Sequence, residues 1–201
     1  MRIQKESEHE IEINKSRFIC YLKRVKSEEE FRQFLSEIKK KHPKATHHCS
    51  ALLIDSNIQR SNDDGEPSGT AGIPMLEVLR KRNMEQICAV TVRYFGGVLL
   101  GAGGLIRAYS RSVSEALDAT DIYEVKQLSV YQLDVDYSTA SKIEKWLSNV
   151  RVLEKSYEEV VKITFASEDK EIVKKTEEVT LGKYSPVYLY DSEVEIIANG
   201  L

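Results

Sequence analysis

The sequence has little cysteine, little proline and no long apolar run. Its three cysteines, Cys20, Cys49 and Cys88, are widely spaced and never form C-x-x-C. A disulfide framework or thiolate zinc site is therefore not expected, and reduced, mostly buried thiols are the default. Only 4 of 201 residues are proline, beside 41% hydrophobic and 30% charged residues, which excludes a disordered tail protein. No apolar stretch approaches the roughly 18 residues of a membrane span, and the start, Met1-Arg2-Ile3-Gln4-Lys5-Glu6, turns acidic without an apolar signal core. The expectation is a cytoplasmic protein without a membrane partner. At roughly 100–200 residues per domain, the length allows one large domain or two small ones.

Charge and glycine are both unevenly spread. The net charge of −3 argues against a chain whose whole surface grips nucleic acid. Residues 1–126 carry 20 Lys+Arg against 18 Asp+Glu, whereas residues 127–201 carry 9 against 14, so contact with a polyanion belongs to the first part. Eight of the ten glycines fall between Gly65 and Gly104, where unusual backbone is expected.

Apolar alternation at Ile11 and Ile13, then Phe18, Cys20 and Leu22, predicts a hairpin broken at Asn14-Lys15-Ser16. Ser27-Glu28-Glu29-Glu30 is a capping-box signal for a helix carrying Phe31, Phe34, Leu35 and Ile38. A strand over about 46–54, a polar loop over 55–71, a short helix opened by Pro74, a buried strand over about 86–95, a glycine loop and a helix over about 105–119 follow. From Gln127 the pattern resets to strand (128–135), helix (139–150), strand (151–157), strand (159–166), helix (169–181) and strand (187–197). That is a ferredoxin-like βαββαβ unit. The predicted class is α+β in two domains, 1–126 and 127–201.

Four constellations carry the chemistry. Arg93-Tyr94-Phe95-Gly96-Gly97 leads through Gly101, Gly103 and Gly104 into a helix bearing Arg107 and Arg111. Backbone N–H groups in such a setting can cradle an anion, but Ile106 stands where a dinucleotide fingerprint needs glycine and no P-loop Gly-Lys-Ser/Thr follows. Residues 96–114 contain no Asp or Glu, so these cations want an anion from elsewhere. That anion is a phosphate or the acidic loop Asp63-Asp64-Gly65-Glu66, which reads either as turn chemistry or as a structured binding loop. The loop lacks the ligand spacing of an EF-hand, so no metal is expected. In a strand, His47 and Cys49 share one face and His48 the other. Trp146, with Ile143, Leu147 and Val150, reads as core or domain interface.

Three segments together carry a resemblance: Lys15-Ser16-Arg17-Phe18-Ile19, Ala45-Thr46-His47-His48-Cys49, and Asp63-Asp64-Gly65-Glu66-Pro67 with the arginine–glycine run from Arg93 to Tyr109. They resemble the Impact family in its bacterial YigZ/YvyE-type branch. The resemblance implies a first domain like domain 2 of ribosomal protein S5 and a second like the C-terminal domain of elongation factor G. It also implies kinship to a eukaryotic translational regulator that competes in an amino-acid-starvation kinase pathway, while the bacterial members have no settled activity. It carries functional weight to Lys15, Arg17, His47, Asp63, Asp64, Glu66, Arg93, Tyr94 and Arg107.

The leading expectation is a non-enzymatic, translation-related regulator that binds RNA or a ribosome-associated partner without a cofactor. Lys15, Arg17, Arg93, Arg107 and the amides of Gly96, Gly97, Gly101, Gly103 and Gly104 would meet phosphate, and Tyr94 and His47 would stack or hydrogen-bond. The alternative is an enzyme acting on a phosphorylated small molecule in the same cleft, which calls for a closed pocket of roughly 300–1,000 Å³. The two loops are expected side by side, with Arg93 and Arg107 on the floor facing the carboxylates.

Overall fold

The computed structural model describes residues 1–198. They divide into two compact units, Met1–Glu124 with Ile197 and Ala198, and Val125–Ile196. The division thus falls two residues before the expected boundary. The chain also returns to the first unit at its end, where the Ala198 N–H donates to the Ile122 carbonyl at 2.9 Å and Ala198 packs on the first core.

The first unit is built on the antiparallel sheet β2 (Ser7–Ile13), β3 (Ser16–Arg24), β6 (Ile87–Tyr94), β4 (His47–Leu53) and β5 (Gln59–Asn62), in the spatial order β2-β3-β6-β4-β5. The predicted hairpin turns at Asn14 and Lys15, both with positive φ (48° and 65°), as a two-residue turn between twisted strands requires. Central β6 is buried from Ile87 to Arg93 because helices cover both of its faces. Helix α1 (Glu28–Lys41) packs Phe34 and Ile38 against Ile19, Leu52, Val90 and Val92. Its Ser27 hydroxyl accepts the Glu30 N–H at 3.2 Å. Helices α2 (Gly72–Lys81) and α3 (Gly101–Asp118) cover the other face with Met75, Leu79, Leu105, Tyr109 and Val113 against Phe18, Cys20, Cys49 and Ala89.

Two elements depart from expectation. The loop expected over 55–71 contains β5, a polar edge strand in which no apolar alternation marks the extended backbone. Helix α3 starts four residues early, so three of the expected loop glycines lie in its first turn. Glycine costs about 1 kcal/mol relative to alanine in a helix, and propensity alone therefore hides this start.

The first unit also holds β1 (Arg2–Ile3), paired with the beginning of β7 (Ile122–Val135). From Val125 onward β7 belongs to the second unit. There it is followed by α4 (Tyr137–Lys142), α5 (Glu144–Leu147), β8 (Arg151–Tyr157), β9 (Val161–Ser167), α6 (Ile172–Val179) and β10 (Val187–Ile197). The strands run in the order β10-β7-β9-β8. Ile143, Leu147 and Ile172 from both helical segments join one cluster with Leu133, Val135, Ile163 and Phe165, which places them on one side of the sheet. Trp146 stands edge-on to Phe165 in that cluster. Among the described residues no helix is long and apolar enough to cross a membrane.

Candidate binding cavity

Strand alternation decides which predicted residues meet. Arg93 and Tyr94 are consecutive on β6, so they point to opposite faces of the sheet. Arg93 lies on the α3 face with His47, Cys49 and Phe18, while Tyr94 lies on the α1 face with Arg17 and His48. The Tyr94 hydroxyl sits 2.9 Å from His42 Nδ1, and the Arg17 guanidinium stacks over its ring at 5.5 Å. Arg17 is tied to Glu10 by two hydrogen bonds of 2.7 and 2.9 Å. The sheet therefore separates Tyr94 and Arg17 from Arg93 and His47.

On the α3 face a cavity of about 370 Å³ is lined by Thr46, His47, Glu66, Pro67, Arg93, Phe95, Leu99, Leu100, Gly101, Ala102 and Leu105. Arg93 and Glu66 line it almost fully buried, 5% and 8% exposed. The Arg93 Nη1 donates to Glu66 Oε1 at 2.6 Å, and the Tyr109 hydroxyl donates to the same oxygen at 2.8 Å. The second guanidinium nitrogen reaches the Ser16 hydroxyl at 3.4 Å, and Phe18 and Phe95 flank the cation at 5.4 and 5.5 Å. Arg93 Nε has no hydrogen-bond partner among the described residues.

The acidic loop divides its labour. Burial pulls the Asp63 carboxyl upward, yet the N–H groups of Gly69, Gly72 and Ala71 outweigh it and hold the group below its ordinary value. Those three bonds, at 2.8, 2.8 and 3.0 Å, fold the loop over the start of α2. Asp64, pulled up by burial but more strongly down by the His48 N–H and by Lys39, lies below its ordinary value as well. It accepts from the His48 N–H at 2.7 Å and from Lys39 Nζ at 3.0 Å. Glu66 is thereby the one loop carboxylate that lines the cavity. His47 is oriented by donating its Nδ1–H to the Asp64 carbonyl at 2.8 Å, which leaves Nε2 3.8 Å from Glu66 Oε2.

The expected floor of two arginines is corrected to one. Arg107 is exposed and does not line the cavity, because it sits on the solvent side of α3, two residues before the inward Tyr109. Lys15 is exposed on the hairpin turn, and its backbone abuts Gly96, where a Cβ would come within 2.0 Å of the Lys15 carbonyl. Gly96 is required by this close approach, and its N–H donates to Ser16 Oγ at 3.2 Å. Gly97 lies in the connecting loop, and Gly101, Gly103 and Gly104 belong to the first turn of α3. Of these only Gly101 lines the cavity.

Burial pushes the Cys49 thiol up to about 12, which removes thiolate character. Its Sγ lies 3.0 Å from the Asp63 carbonyl and 3.2 Å from the Tyr109 oxygen. Sequence reasoning had marked Tyr109 as an inward helix residue but not as a polar partner. A buried tyrosine hydroxyl needs an acceptor, and that need pointed to a carboxylate nearby. Ser16, inside the hairpin turn, carried no such signal. Among the described residues no cluster of three or more His, Cys, Asp or Glu side chains is placed to hold a metal ion.

This geometry occurs in a chain whose residues 14–117 match the Impact N-terminal domain. A Bacillus subtilis relative, IMPACT family member YvyE, is 51% identical over 173 residues, covering 84% of this chain and 80% of its own. The chain belongs to the IMPACT family. Its Escherichia coli relative in that family, YigZ, is 38% identical over 161 residues, 77% of this chain and 79% of its own. A solved crystal structure described as a hypothetical protein shares 32% identity over 94% of this chain and 96% of that one, with a TM-score of 0.57. Every residue lining the cavity falls inside the segment that matches the IMPACT domain.

Proposed function

We propose that this IMPACT-family chain is a translation-related regulator that works by binding, and that a ribosome-associated protein is its partner in preference to RNA. The observation that carries the preference is the buried Arg93–Glu66 pair. A cation meant for an RNA backbone must be accessible and short of negative charge, and Arg93 is neither. Arg17 is likewise paired with Glu10, so of the four expected phosphate cations two are already neutralised. What the cavity offers a partner is mainly apolar surface: Phe95, Leu99, Leu100 and Leu105. In this reading the first unit follows the S5 domain 2-like plan and the second the ferredoxin-like plan of elongation factor G, supported by the βαββαβ element order.

The test is co-sedimentation of the purified chain with ribosomal particles across a salt series. A protein partner gives a shallow salt dependence and loss of binding in Leu99→Asp. Binding through several phosphates would lower log K by about 0.7–0.9 per contact per log unit of salt, and such a slope would move the assignment to RNA. No association at any salt would overturn both.

The second reading, an enzyme, draws on the cavity itself, whose volume lies within the range of small-molecule sites, and on His47 held by Asp64 with Nε2 toward Glu66. A phosphorylated substrate suits it poorly, because Glu66 already neutralises the cation that would receive the phosphate.

A further inference from the structure

Helix α3 begins at the cavity without a cap. Its N-cap residue is Leu100, no side chain bonds the first turn, and that turn contains no acid. The first backbone N–H groups of a helix have no partner within it and carry roughly half a positive charge together. Gly101 and Ala102, which hold the first of these groups, line the cavity. A second donor arrives from the opposite side and from another element: Arg93, nearly fully buried, with an Nε–H that meets no acceptor among the described residues. An unpaired buried donor costs about 1–3 kcal/mol, which an incoming acceptor recovers. The remaining walls, Phe95, Leu99, Leu100, Leu105 and Pro67, are apolar.

We propose that this cavity binds a carboxylate that carries a leucine-sized apolar group, with the carboxylate between Arg93 Nε and the start of α3 and the apolar group against Leu99, Leu100 and Leu105. Charge selects the monoanion. The formal charge of Arg93 is matched by Glu66 at 2.6 Å, so the surplus is the partial charge of one helix end, enough for a carboxylate and too little for a phosphate dianion beside Glu66. Shape agrees, because a planar carboxylate has two acceptor oxygens for two donor sets on different sides. The same chemistry occurs in a free branched carboxylic acid and in the terminal residue of a peptide chain. The proposal rests on the reading of this cavity as the binding surface of the first unit, and it names the group that enters it.

The experiment titrates the full chain, followed by the backbone amide resonances of Gly101–Gly104, with N-acetyl-L-leucine, N-acetyl-L-leucinamide, 4-methylpentanoate and inorganic phosphate. Saturable shifts with N-acetyl-L-leucine, and affinity about tenfold weaker for its amide, are expected from the loss of a charge-assisted hydrogen bond. Phosphate gives no saturable shift. Equal affinity for acid and amide, or saturation by phosphate, would overturn the proposal. Binding of 4-methylpentanoate as tight as that of N-acetyl-L-leucine assigns the site to free acids, whereas a clear preference for the latter assigns it to chain termini; both support the chemistry. Ala102→Asp guards against a folding artefact, since an acid in the first turn stabilises a helix while supplying the carboxylate internally. This variant must keep or raise the melting temperature and lose at least about tenfold in affinity; unchanged affinity would overturn the proposal. The titration needs no ribosome, so it can fail while co-sedimentation succeeds, and the reverse.

Discussion

In the first unit three charged side chains, Arg2, Glu66 and Arg93, are more than nine-tenths buried. The fully described buried polar residues of the second unit are Thr176 and Thr180, and their hydroxyls bond back to the carbonyls of Ile172 and Thr176 at 2.7 and 2.9 Å. Such threonines complete a helix and do nothing else. Where ions are formed in the second unit they lie at the surface: Asp136 meets Lys183 at 2.6 Å with both side chains well exposed. Burying a charge costs several kcal/mol that its partner repays only with good geometry. A fold does not need that arrangement, since apolar residues of similar size serve stability equally well. The contrast therefore marks the first unit, and within it the Arg93–Glu66 pair, as the place where stability has been subordinated to a site.

Breaking that pair is the sharpest way to test the contrast. Glu66→Ala leaves Arg93 buried without its anion and is expected to cost about 3–5 kcal/mol in denaturant unfolding. The double change Glu66→Gln with Arg93→Met should recover most of that loss while still abolishing ligand binding in the cavity. If the single change cost no more than an exposed substitution, the pair would not be the buried element described here. Gly96→Ala comes next. Its Cβ would press on the Lys15 carbonyl, backbone against backbone, and overpacking of this kind costs about 1–3 kcal/mol. The matching substitution Gly182→Ala in the second unit meets no atom within 4 Å, but it places a side chain at φ 72°, so its cost is conformational rather than steric.

The third test uses pH. Asp63 holds three backbone N–H groups and titrates below its ordinary value of 3.8. A carboxyl lowered in the folded state contributes stability that is complete above the unfolded value, about 3.9, and disappears as pH falls through the folded value. Denaturant midpoints measured from pH 6 down to pH 2 should therefore fall in the first unit. Asp63→Asn should flatten part of that fall and cost about 0.5–2 kcal/mol near neutral pH, as for other lost helix caps. Asp136, which accepts the Thr139 N–H at 2.7 Å and also bonds Lys183 and Tyr184, lies below its ordinary value chiefly because of Lys183. Being at the surface, it is expected to give a smaller change that added salt reduces.

The sequence made some of this legible and not the rest, for physical reasons. Strand parity placed His47 with Cys49 and against His48, because alternation is a property of extended backbone alone. The same rule separates Arg93 from Tyr94, yet grouping them as one motif obscured it. The capping box at Ser27 and the second unit's strands at 151–157 and 187–197 were readable because local signals set them. The early start of α3 was hidden by its glycines, which oppose helix by propensity and are tolerated only in the folded context. The pairing of Glu66 with Arg93 was anticipated as an attraction between loops. Its exclusiveness was not, because nothing local distinguishes Glu66 from Asp63 and Asp64 until the latter two are seen consumed by backbone N–H groups and Lys39.

The smallest expected effect belongs to Arg107. It shares a helix with Tyr109 but points away from the cavity, so Arg107→Ala should change stability by no more than about 0.5 kcal/mol and leave the carboxylate titration unaltered. Its value lies in separating the two partner classes. A phosphate-contacting arginine contributes regardless of sequence, and losing it weakens binding uniformly and reduces the salt slope by about one unit. A protein partner seated on Leu99 and Leu100 has no such dependence on a cation beyond the rim. If Arg107→Ala lowers the salt slope of ribosome co-sedimentation, the accessible face of α3 reads a nucleic-acid backbone and the cavity serves another task. If the slope is unchanged while Leu99→Asp abolishes association, the buried charge pair beneath Leu99 supports a protein-binding surface.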